Sequence, residues 1–161
     1  MKPSFPVVGI IILFAISSLV ADPAVPITKE TARNAIVAAR QEPLSPRGRA
    51  AGEVVRSYAE KNEDVIVQVN PKVAPFLTNM TIPLADRTLL LDAFVIGNVD
   101  SQFLHNEKKD DPYAGALEVI ETYRKMQKRD TALSLPEIEN FIALEKRNEL
   151  KKYITSPEGT N

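Results

Sequence analysis

Apolar residues recur at helical spacing over most of the chain. In ITKETARNAIVAARQ, Ala32, Ala35, Ile36 and Ala39 follow the i, i+3, i+4, i+7 pattern of one helix face. Thr28 is placed to cap that helix, Glu30 falls in its first turn, and Pro43 ends it. SPRGRAAGEVVRSYAEKN restarts the pattern with Ser45 as cap and Pro46 at the first helical position. Its buried stripe reads Ala51, Val54, Val55 and Tyr58, and Gly48 and Gly52, four apart, would let a second backbone approach. Pro83 to about His105 forms the longest and most apolar helix. Asp111-Pro112 opens another, with Ala116, Val119, Ile120 and Tyr123 inward. Ser134 and Glu137 have capping-box spacing and predict a last helix through about Ile154, burying Ile138, Phe141, Ile142, Leu150 and Tyr153.

One stretch alternates instead. DVIVQVN, Asp64 to Asn70, has the β-branched residues of a strand. No second strand of similar quality accompanies it, so it reads as an extended connector or as an edge that pairs with another chain, the connector being favoured. Asn70-Pro71 then caps a short helix limited by Pro75. The expected fold is all-α: one bundle or helical-hairpin array of about five principal helices plus one short helix. Helix pairs of this size invite comparison with tetratricopeptide repeats. Matching Ile96-Gly97 to that motif's Leu-Gly puts Lys109 where a small alanine belongs, and no copy recurs at a period of about 34 residues.

The first 21 residues carry a different pattern. Lys2 precedes an uncharged, mostly apolar run from Val7 to Val20, and Ala21 offers a small residue for cleavage. This is the layout of a signal peptide cut after Ala21, and the run is shorter than the roughly 20 residues of a spanning helix. Residues 22–26 then read as an extended leader, 27–154 as the helical domain and 155–161 as a disordered tail. The expected location is periplasmic or secreted, with membrane contact only if the N-terminal segment stays uncleaved as an anchor.

Composition narrows the chemistry. With no cysteine, the chain has no thiol catalysis, disulfide or Fe–S ligand, and a domain of this kind depends on its core alone. Removing residues 1–21 leaves 19 basic and 21 acidic residues, a near balance that offers nucleic acid no electrostatic footprint. Asn79-Met80-Thr81 is a glycosylation sequon with meaning only in a eukaryotic secretory route.

Candidate chemistry is sparse. Asp92 sits on the most apolar face of the longest helix, within about 60° of Thr88, Leu89, Val95, Ile96, Val99 and Phe103. A buried carboxylate needs a partner, and Arg40, Arg56 and Arg124 are the candidates. Gly97 permits close packing or a kink, and Asn98 is a second buried polar group expected to serve the bundle's interior. His105 is the sole histidine, with Ser101 four residues earlier on its face, but no G-x-S-x-G elbow exists. Asp100 and His105 diverge by about 140° on a helix, and Asp110 and Asp111 lack the calcium-loop pattern. The basic run Arg124–Arg129 suits a solvated helix end.

No catalytic residue, cofactor-binding residue or metal ligand is therefore assigned, and no cofactor is expected. The function this leaves first is a non-catalytic protein-interaction module whose partner is another exported or envelope protein. A helical domain holding a lipid or small molecule is the alternative, and a carboxylate-based hydrolase the third class.

Overall fold

The computed structural model describes residues 26–156 and is all-α. The signal peptide read over residues 1–21, its cleavage after Ala21, residues 22–25 of the leader and residues 157–161 of the tail lie outside the described residues, while Thr155, read as tail, ends the last helix. Five principal helices run Lys29–Gln41 (α1), Pro46–Lys61 (α2), Leu84–His105 (α3), Pro112–Arg129 (α4) and Pro136–Lys146 (α5), followed by the short Leu150–Thr155 (α6).

Local chemistry starts three of these helices. The Thr28 hydroxyl accepts from the Thr31 N–H, Ser45 from Gly48, and the Asp111 carboxylate from Ala114, in each case satisfying a first-turn donor. Pro46 and Pro112 stand directly after two of the caps, where a missing N–H costs nothing.

α3 is the axis of the molecule, and its two ends serve different cores. Leu89, Leu90, Ala93 and Phe94 join α4, α5, α6 and Phe76 around Tyr123, Met126 and Phe141. Val95, Ile96, Val99 and Phe103 join Ala32, Ala35, Ile36 and Ala39 of α1 and Val55 and Tyr58 of α2. Small residues set the crossings. A Cβ on Gly52 would meet the Cβ of Asp92 at 3.0 Å, so α2 lies against α3 at that point.

Several local details depart from the sequence pattern. The segment after Asn70 is a turn, with Asn70 Oδ1 accepting from Lys72 and Val73. The helical turn itself begins at Pro75 as a 3-10 turn, Pro75–Leu77, instead of ending there. The box at Ser134 does not form. Leu135 is the cap residue, its N–H donating to the Tyr123 hydroxyl at 3.0 Å, while Glu137 is drawn to Asn79 and Ser134 to Glu139. The last helix is broken at Asn148, whose φ of 59° lies in the left-handed region. The Glu149 N–H reaches the Leu144 carbonyl and the Asn148 N–H the Glu145 carbonyl, the paired bonds of a Schellman stop. The break redirects Leu150 and Ile154 into the core and leaves Tyr153 38 % exposed, outside the stripe its spacing predicts.

Candidate functional site: the groove beside Asp92

Asp92 is 5 % exposed, and a bond from Arg56 Nε to its Oδ1 spans 2.8 Å from α2 to α3. Arg56 also reaches Glu60 on its own helix at 3.4 Å. The other two arginines point elsewhere. Arg40 bridges Asp100 of α3 at 2.6 Å and Glu118 of α4 at 2.7 Å, and Arg124 pairs with Glu121 on its own helix.

The Asp92–Arg56 pair is uneven. Burial pushes the Asp92 carboxyl above its ordinary value, and the Arg56 bond offsets this only in part. Arg56 is itself held more firmly charged, first by the bond to Asp92. The two directions are compatible because side-chain exposure is 7 % for the aspartate and 27 % for the arginine. The carboxylate has given up its water, and the guanidinium keeps part of its own. At Arg40 burial opposes the charge, and the bonds to Glu118 and Asp100 more than offset it.

Asp92 and Arg56 line a groove between α2 and α3 of about 690 Å³. Pro46, Ala50, Ala85 and Leu89 supply much of its apolar surface, and Leu84 stands at its edge, 70 % exposed. Arg49, Glu53 and Arg56 supply alternating charge along the α2 wall. Arg49 is steadied by the Ala85 carbonyl at 3.1 Å and by Asp86 at 3.7 Å. This mixture of apolar floor and charged wall can hold an apolar side-chain row or chain, with polar contacts at its margin.

The second buried polar group belongs to a different assembly. Asn98 is fully buried; its amide donates to Asp110 Oδ1 at 2.7 Å, and its oxygen accepts from the Asp111 N–H and from Gln102. Gln102, 4 % exposed, binds both the N–H and the C=O of Ile66, at 3.0 and 2.7 Å. Asp110 Oδ1 also accepts the Gln68 N–H. The alternating segment is thus an extended connector held along one edge by side chains of α3 and of the loop after it. Sequence reading missed Gln102. Its position four residues after Asn98 was the available signal.

Ser101 and His105 come together without forming a nucleophile–base pair. The Ser101 hydroxyl donates to Asp111 Oδ2 at 2.6 Å, and His105 Nδ1 lies 2.9 Å from the Ser101 carbonyl. A ring N–H given to that carbonyl leaves Nδ1, 3.3 Å from the hydroxyl, unable to accept the serine proton. Among the described residues no three histidine or acidic side chains converge as a metal site, and no helix is long and apolar enough to cross a membrane. Comparison with protein-family models, curated proteins and solved structures finds no match for this chain.

Proposed function

We propose that the chain is exported, to the periplasm or out of the cell, and acts there as a non-catalytic protein-interaction module. Export is supported by the pattern of residues 1–21, with Lys2, the apolar run Val7–Val20 and Ala21. The observation that carries the binding role is the α2–α3 groove, with Leu84 exposed at its edge and Leu89 lining it. The occupant that fits is an amphipathic helix of another exported or envelope protein. The α2 wall from Pro46 to Arg56 spans about 16 Å at 1.5 Å per residue, enough for three helical turns. A partner helix would lay apolar residues at i, i+3 or i+4 and i+7 into the groove and set polar residues against Arg49, Glu53 and Arg56.

The test is native capture of the tagged protein from its own cell envelope, in parallel with a Leu84→Glu variant. The reading expects a stoichiometric protein partner that Leu84→Glu loses while its melting temperature stays unchanged. A partner retained equally by the variant would place the contact elsewhere and overturn the groove assignment. Recovery of an apolar small molecule in place of a protein would favour the ligand-binding alternative.

A further inference from the structure

The segment from Val65 to Asn70 contains no helix, turn or bend, and only one of its edges is occupied. Ile66 uses both backbone groups on Gln102, and Gln68 gives its N–H to Asp110. In an extended chain the next residues point their N–H and C=O the other way. Among the described residues the backbone groups of Val67 and Val69 have no hydrogen-bond partner. Ile66 is 39 % and Val69 43 % exposed, so apolar β-branched surface accompanies that edge.

We infer that this edge pairs with the same edge of a second copy of the chain, antiparallel about a two-fold axis at Gln68. In that register Val67 of one copy lies opposite Val69 of the other, twice over. The outward groups of the two residues then satisfy each other in four hydrogen bonds. Ile66 falls opposite Asn70, the last extended residue before the turn at residues 71–73. Val65, 5 % exposed, falls opposite Pro71, which has no N–H to offer, so pairing ends where the strand enters the core. The two Gln68 side chains meet on the axis at a non-hydrogen-bonded position, where cross-strand neighbours approach most closely. An isolated two-stranded ribbon is marginal in water, but here each strand is already fastened to α3 through Gln102.

The experiment is sedimentation velocity over a concentration series on the purified chain as its host processes it. The native chain is expected to show a reversible monomer–dimer equilibrium. Val69→Pro removes one outward N–H from each copy, two of the four bonds, without touching a bond of the monomer, and is expected to leave monomer only. Gln68→Lys and Gln68→Glu each place like charges on the axis and are expected to raise the dissociation constant about fivefold or more. Mixing those two variants is expected to restore pairing, because lysine then faces glutamate. A monomer at every concentration would overturn the inference. So would a dimer indifferent to Val69→Pro, or one that the lysine–glutamate mixture fails to restore.

Discussion

The carbonyl oxygen of Ala114 lies over Gly97: a Cβ built on that glycine would stand 2.3 Å from the oxygen. Backbone touches backbone there, so α3 and α4 cross where the sequence leaves a gap. Gly97→Ala is expected to push the helices apart and destabilise the chain by about 1–3 kcal/mol, the usual cost of overpacking. Urea unfolding checks this through the midpoint, with an unchanged slope showing that the fold itself is retained.

The two members of the Asp92–Arg56 pair should not be equivalent on removal. Asp92→Asn removes the charge that burial disfavours and keeps an oxygen that can accept from Arg56, which also retains solvent and Glu60, and is expected to cost less than about 1 kcal/mol. Arg56→Ala strands a carboxylate with 7 % side-chain exposure and is expected to cost more, toward about 3 kcal/mol. Equal losses in paired melting curves at neutral pH would contradict this account.

The pH dependence follows from the raised value of Asp92. Its folded pKa lies above 3.8, so between the two values the folded chain binds more protons than the unfolded one. Its contribution to stability therefore falls as pH rises from below 3.8 through the raised value. Arg56→Ala removes the one lowering partner and should steepen that fall, whereas Asp92→Asn should abolish it. Denaturant midpoints for the three proteins at a series of acid pH values decide the matter.

Gln102 should control the connector. Gln102→Leu leaves the Ile66 N–H and C=O and the Asn98 oxygen each short of a bond, at about 1–3 kcal/mol for a buried group left unpaired. The expected signature is local: amide exchange at Ile66 should accelerate far more than at Leu90, deep in the other core. Uniform acceleration along the chain would mean that Gln102 holds the whole fold.

Asn148 should tolerate glycine and resist a β-carbon without a polar tip. With φ at 59°, Asn148→Ala is expected to cost about 1 kcal/mol, and Asn148→Gly to be neutral or mildly stabilising. Thermal melts of the two variants should bracket the native protein or place it level with the glycine form.

What the sequence determined by itself was the helical alphabet of the chain. Thr28, Ser45-Pro46 and Asp111-Pro112 mark helix starts because a cap is satisfied within three residues, and that geometry is complete in the local chain. The apolar stripes of α1, α2 and α4 were readable for the same reason: their period is set by the helix and not by its neighbours. Where local signals competed, reading failed. Ser134 and Glu137 have the spacing of a capping box, yet Glu139 takes the Ser134 hydroxyl and Asn79 holds the Glu137 carboxylate. Tertiary structure alone decided which arginine reaches Asp92, that Gln102 clasps Ile66, and that α2 and α3 leave a groove beside Leu84. Each of those relations joins residues separated by tens of positions. Hydrogen bonds and ion pairs act over a few ångströms, and only the packing of helices brings such partners within range.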